Sequence, residues 1–216
     1  MSKSVFRFLS RPADSVLIEG GDIYLRLPEM GDYETWRRLR LESRRFLEPW
    51  EPTWAPDDLA RTSFRLRVKR YEQDFARGLS VPLFLFLRGD HTLVGGLTLG
   101  YIRRGAAQSS MIGYWMGETY AGKGLMRSAL DVVVPYAFEV LRLHRIEAAC
   151  IPDNTRSINL LEKAGFQREG YLRGYLKING VWRDHVLYAR VAERYGNDSA
   201  RKKRARTLHH DKKTVA

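Results

Sequence analysis

Residues 117–131 read Gly117-Glu-Thr-Tyr-Ala-Gly-Lys-Gly124, then Leu125-Met-Arg-Ser-Ala-Leu-Asp131, a glycine turn leading into a helical pattern. The spacing GxxxxGK is that of a nucleotide-binding P-loop, but Gly124 stands where a serine or threonine hydroxyl would reach Mg²⁺. No apolar strand ends in a convincing second metal-binding aspartate, which disfavours NTP hydrolysis. A dinucleotide fingerprint fails too, because Gly122-x-Gly124 is followed by Leu125, Met126 and Arg127 without a third glycine. What remains is a turn whose backbone N–H groups face outward at the positive end of a helix, with Lys123 and Arg127 adding charge. That arrangement suits an unmetallated pyrophosphate. The plainer alternative is a tight turn that needs glycine for positive φ and binds nothing.

The flanks support a strand, turn and helix. SSMIGYWM (109–116) alternates as a strand, and Leu125, Ala129, Val132, Tyr136, Val140 and Leu143 recur at helical steps. Pro135 lies within this helix and predicts a bend there, not an end. Ile23-Tyr-Leu-Arg-Leu27 predicts a strand, residues 33–46 a helix, and Asp57 and Asp58 open a second helix that Gly78 stops. VPLFLFL and TLVGGLTLGYI form a hairpin around Arg88-Gly89-Asp90. RIEAACI (145–151) is a further strand, and Asp153 or Asn154 caps a short helix that Gly165 ends. FQREGYLRGYLKING and VWRDHVLYARV are the last strands, giving the order β α α β β β α β α β β.

The chain has 216 residues, 44% of them hydrophobic, enough for one substantial core. Its single cysteine, Cys150, excludes an internal disulfide and a zinc site built on several thiolates, which fits a reducing, cytoplasmic setting. No stretch has the length and apolarity of a signal peptide or a membrane span. Of the net charge of +12, the segment 198–216 carries +5, from seven Lys/Arg against Asp198 and Asp211. With almost nothing apolar to bury, this tail is expected to be disordered, a solvated arm or a contact for ribosome or rRNA phosphates. The expected organisation is one domain over 1–197 and the tail over 198–216.

The run IGYWM, AGKGLM, RIEAACI and NTRSINLLEKAGF resembles the acetyl-CoA-binding core of the GNAT N-acetyltransferases, in element order across residues 23–190. FLEPWEP, HRIEA and GYLRGYLKINGVWRDHVLYA are similar to the Rim-type ribosomal-protein-alanine N-acetyltransferases within that family. The resemblance implies an α/β (α+β) GNAT fold. Its mixed sheet has about seven strands, splayed between IGYWM and RIEAACI, with about four helices. It implies acetyl-CoA as co-substrate, no metal, and transfer to a protein N-terminal amine, of an alanine-starting ribosomal protein in the Rim type. The family turn is Gln/Arg-x-x-Gly-x-Gly/Ala; here Ala121 and Met126 depart from it, while Gly122, Lys123, Gly124 and Leu125 fill the space between.

Carried over residue by residue, the resemblance places cofactor contacts at Tyr114, Trp115, Met116, residues 121–127 (Arg127 included), Asn154 and Asn159. Ser157 becomes the acid that protonates the departing thiolate, although a hydroxyl there is also an ordinary feature of a helix start. A backbone N–H near Trp115 or Met116 can polarise the thioester carbonyl. No carboxylate lies in SSMIGYWM, so Glu118 or a water chain takes the amine proton. Phe46, Trp50, Glu51 and Trp54, with Tyr175, are expected to wall the acceptor site. Asp184 and His185 point to opposite faces of a strand and cannot act as a relay; they read as structural or substrate-binding. Two other readings stay open: acetylation of a small amine such as an aminoglycoside or polyamine, and a non-catalytic RNA- or ribosome-binding module.

Overall fold

The computed structural model describes residues 16–192; the basic tail and the two ends of the expected 1–197 domain lie outside the described residues. One mixed sheet organises these residues. Its strands are Leu17–Gly20 (β1), Ile23–Arg26 (β2), Val81–Leu87 (β3), Leu93–Arg103 (β4), Ser109–Met116 (β5), Arg145–Cys150 (β6), Gln167–Ile178 (β7) and Val181–Val191 (β8). Their spatial order is β1-β2-β3-β4-β5-β6-β8-β7, antiparallel throughout except where β5 meets β6. The described residues hold eight strands where about seven were expected; the addition is LIEG, too short to show alternation and a strand because it pairs with β2 across a glycine turn.

Five α-helices cover the sheet: Tyr33–Glu42 (α1), Arg44–Leu47 (α2), Arg61–Ala76 (α3), Leu125–Pro135 (α4) and Thr155–Lys163 (α5). The single helix predicted over 33–46 breaks at Ser43, whose carbonyl takes the Phe46 and Leu47 N–H groups. α3 starts at Arg61, later than Asp57 and Asp58, which nevertheless tie its start by accepting hydrogen bonds from Ser63 and Arg67. At Pro135 the chain stays helical but widens into a π turn over Tyr136–Val140, as expected where proline removes the donor that would reach the carbonyl four residues back.

Each face of the sheet carries its own core. α4 and α5 pack on one face around Leu130, Val133, Ile146 and Leu161, in a cluster that Tyr114 and Met116 also join. α1 and α3 pack on the other through Trp36, Phe64 and Phe84, and Trp115 joins that side. Alternation along β5 therefore sends Tyr114 and Trp115 to opposite faces. Among the described residues no helix is long and apolar enough to cross a membrane.

Candidate active site

Strands β5 and β6 pair only over Ser109↔Arg145, Ser110↔Ile146 and Met111↔Glu147. Beyond Met111 each keeps its other neighbour, β5 pairing with β4 and β6 with β8, so the two separate into a wedge. A cavity of about 530 Å³ fills the wedge, bounded by Ile112–Met116 and Ala148–Ile151, by the turn before α4, by the start of α5 and by the loop after α1.

The ladder between β4 and β5 decides which backbone donors face the wedge. Gly117 N–H binds the Val94 carbonyl at 2.9 Å, and the next register pairs are Gly95↔Met116 and Gly96↔Trp115. Antiparallel partners alternate between hydrogen-bonded and non-bonded pairs. The Trp115 N–H therefore turns toward β4, while those of Tyr114 and Met116 turn toward the wedge. Of the two expected carbonyl-polarising donors, the alternation selects Met116. Trp115 is held by a close approach: a Cβ on Gly96 would lie 2.5 Å from its indole nitrogen.

At the other end of the wedge, Gly122 and Gly124 are left-handed (φ +76° and +80°), and an added Cβ would meet nothing within 4 Å at either. Gly124 is the N-cap of α4 and offers no side-chain cap; the first bond of the helix runs from Ser128 N–H to its carbonyl at 3.0 Å. The N–H groups of Leu125, Met126 and Arg127 thus begin an eleven-residue helix beside open space. Such a cradle fits an anion held by main chain. Arg127 is engaged with Asp131 and the Lys163 carbonyl, so it ties α4 to α5. Lys123 does not line the cavity; its ammonium lies 5.7 Å from the Tyr120 ring centre. Ala121 lines the cavity without a polar group to offer.

On α5, Asn154 caps the helix by accepting the Ser157 N–H at 3.1 Å, and both residues line the cavity with Asn159. The Ser157 hydroxyl is 2.7 Å from the Tyr114 phenol oxygen. Burial pushes that phenol well above its ordinary range and keeps it protonated. The buried Cys150 thiol is also raised by desolvation, an effect that a hydrogen bond with Ser157 offsets in part.

Phe46, Trp50 and Glu51 line the opposite wall. Trp54 stands behind it, donating its indole N–H to Glu51 Oε2 at 2.8 Å. Tyr175 does not line the cavity: its ring packs 5.5 Å from that of His185, and its hydroxyl meets the Met111 sulfur at 3.6 Å. The buried His185 itself lines the cavity and hydrogen-bonds the Arg183 carbonyl at 3.0 Å. Asp184 turns the other way and accepts from Tyr171 and Gly174, so the two do not form a relay. Glu118 is exposed and outside the lining, between the cavity residues Met116 and Tyr120, with its N–H held by Ser43 Oγ at 2.9 Å.

Arg40 and Tyr120 are among the residues that carry no local mark of a site. Arg40, one of several arginines on α1, forks onto Glu51, and Tyr120 lines the cavity from the turn before Ala121. Among the described residues no cluster of His, Cys, Asp and Glu is arranged to hold a metal.

Known proteins agree with this architecture. The acetyltransferase (GNAT) domain family matches residues 22–167. A probable N-acetyltransferase of Bacillus subtilis, YjcK, is 39% identical over 173 residues, 80% of this chain and 96% of that protein. The [ribosomal protein uS5]-alanine N-acetyltransferase of Escherichia coli is 34% identical over 160 residues, 73% of this chain and 82% of its own length. The structure of Mycobacterium smegmatis RimJ in complex with CoA-disulfide superposes with a TM-score of 0.76 at 36% identity, covering 88% of this chain and 86% of that one.

Proposed function

This chain belongs to the GNAT acetyltransferase family, and we propose that it acetylates the N-terminal α-amine of a protein, by preference a ribosomal protein beginning with alanine. The observation that carries this reading is the wedge. Its α4 and α5 side presents main-chain donors suited to a pyrophosphate and an amide-bearing arm, and its α1 side presents an aromatic wall with a carboxylate. The relatives named for ribosomal-protein-alanine acetylation support the acceptor class. The setting we propose is the cytoplasm, with the basic segment 198–216 as a contact for the ribosome.

Acetyl-CoA, bound there, supplies the acetyl group as an activated thioester. Gly122, Gly124 and the first-turn N–H groups of α4 hold its phosphates, with Ala121, Lys123, Leu125, Met126 and Arg127 shaping the turn. Asn154 and Asn159 meet the pantetheine amides. The Met116 N–H stabilises the charge that develops on the carbonyl oxygen. As the amine nitrogen bonds to the carbonyl carbon and the C–S bond breaks, Ser157 gives its proton to the leaving sulfur and regains one from solvent through Tyr114, which balances the proton the amine releases. The proton lost by the amine leaves through water to Glu118. Phe46, Trp50 and Glu51 orient the acceptor, with Trp54 behind them holding Glu51; Tyr175, expected in this wall, packs against His185 outside the cavity.

Incubation with acetyl-CoA and peptides carrying the first residues of ribosomal proteins tests the proposal by mass spectrometry. Alanine-starting peptides should gain one acetyl group and their N-blocked forms none. Acetylation confined to polyamines or aminoglycosides would instead support the small-amine reading, for which the same wedge has room.

A further inference from the structure

Arg40 is the sole buried lysine or arginine among the described residues, 6% exposed, and it lies immediately behind the acceptor wall. Its guanidinium sits between two indoles, 4.3 Å from the ring centre of Trp54 and 5.0 Å from that of Trp115. Both terminal nitrogens fork onto Glu51, Nη1 to Oε1 at 2.7 Å and Nη2 to Oε2 at 2.5 Å, while the buried Nε has no hydrogen-bond partner. Burying a cation with one donor unpaired is costly, and an apolar side chain would fill the same space without that cost. The fork and the two π faces offset the cost, and what they achieve together is geometric: Glu51 is held in one orientation.

That orientation leaves one acceptor position of Glu51 unused by the protein's own donors. An ionised carboxylate has about four lone-pair positions. Arg40 takes one on each oxygen and the Trp54 indole takes the second on Oε2, so one remains, on Oε1. Glu51 lines the cavity, and its own carbonyl accepts the Asn179 N–H at 2.8 Å, which anchors the loop to the β7–β8 hairpin. The ion pair is neutral overall. It therefore orients an amine without adding the net negative field that would hold it as ammonium.

We propose that Arg40 is a positioning residue that fixes Glu51 so that the free lone pair of Oε1 accepts an N–H from the acceptor's primary amine, making Arg40 and Glu51 the determinants of amine recognition. This deepens the N-terminal-amine reading and rests on it for the identity of the acceptor. The test compares the wild-type chain with Arg40→Lys, Glu51→Gln and the double variant. Steady-state kinetics with an alanine-starting peptide and a panel of small primary amines accompany thermal melts.

Each single variant should raise the acceptor KM about ten- to a hundredfold, since Arg40→Lys loses the fork that orients Glu51 and Glu51→Gln loses the charged acceptor, while the acetyl-CoA KM stays within about twofold. The double variant should be no worse than the weaker single one, because both act on one contact. An unchanged acceptor KM in folded Arg40→Lys and Glu51→Gln, or an equal rise in the acetyl-CoA KM, overturns the proposal. Should Arg40→Lys not fold, Glu51→Gln carries the same comparison. If the wild type acetylates small amines but no peptide, the N-terminal-amine reading falls, and the KM split is read on the best small amine. Absence of transfer to every amine overturns both.

Discussion

On the α4 and α5 face the cavity is met by backbone N–H groups, two left-handed glycines and small polar side chains on a helix start. On the α1 face a buried guanidinium is clamped between two indoles and forked onto a carboxylate. In the proposed reading the first wall recognises by main chain, so its requirement on sequence is mostly permission: glycine where φ is positive, nothing bulky beside the donors. The second is built of side chains brought together from α1, the loop after it and β5, so recognition there, as proposed, requires a set of partners. Trp115 and Tyr114, adjacent on β5, contribute to opposite walls because a strand alternates. The reacting atoms must meet between them, at the wedge where β5 leaves β6.

If this division holds, damage to chemistry on the α5 side should leave acceptor binding alone, and the largest effect belongs there. Ser157→Ala should lower kcat about a hundredfold with both KM values nearly unchanged, the scale of losing a positioned proton donor. A rise in acceptor KM to match would mean that the walls are not separate. Tyr114→Phe removes the hydroxyl proposed to resupply Ser157 but no group that titrates near neutrality. The buried phenol is held above its ordinary value, so it stays protonated below about pH 10. The variant's pH–rate profile should keep its shape below that limit, and a lost or shifted inflection there would show that the phenol titrates in turnover.

The same division explains what could be read from residues alone. The glycine turn, the helix it starts, the Asn154 cap and the order of the last seven strands all follow from local rules of spacing and φ, and the structure has them. The break of the first helix at Ser43 did not show, because SRRFL keeps helical character and only the turn geometry at Ser43 interrupts it. β1 did not show because its identity comes from pairing. Arg40 was hidden for a related reason: among Arg37, Arg38 and Arg44 nothing local marks one as buried, and its partners Glu51, Trp54 and Trp115 come from 11 to 75 residues away. Spacing located the wall contributed by backbone, and the run FLEPWEPTW pointed to Phe46, Trp50 and Glu51, which line the other wall; the guanidinium behind them needed the fold.

A smaller effect is expected from the turn itself. Gly124→Ala adds a Cβ that meets no atom of the protein within 4 Å, so its folding cost should be only the conformational one, about 1 kcal/mol for a left-handed alanine. The same methyl group would stand beside the first-turn N–H groups of α4. The acetyl-CoA KM should therefore rise about tenfold, equivalent to about 1.4 kcal/mol, with the acceptor KM unmoved. Chemical denaturation and kinetics on one preparation separate the two costs. Loss of stability with no change in the acetyl-CoA KM would reduce the turn to a purely structural device.

The smallest effect lies at Ala121, where the Gln or Arg expected from the family pattern is missing and the cavity is lined by a methyl group. If the pyrophosphate is held chiefly by backbone, restoring the cation should add little. Ala121 is extended (φ −67°, ψ 149°), a conformation any side chain adopts, so Ala121→Arg should fold as the parent does. One exposed phosphate contact is worth about 0.5–1 kcal/mol, which lowers the acetyl-CoA KM about two- to fivefold and should fade with added salt. A gain of a hundredfold would mean that the backbone cradle is the weaker half of this wall, and that the side chain absent from position 121 had been its principal anchor.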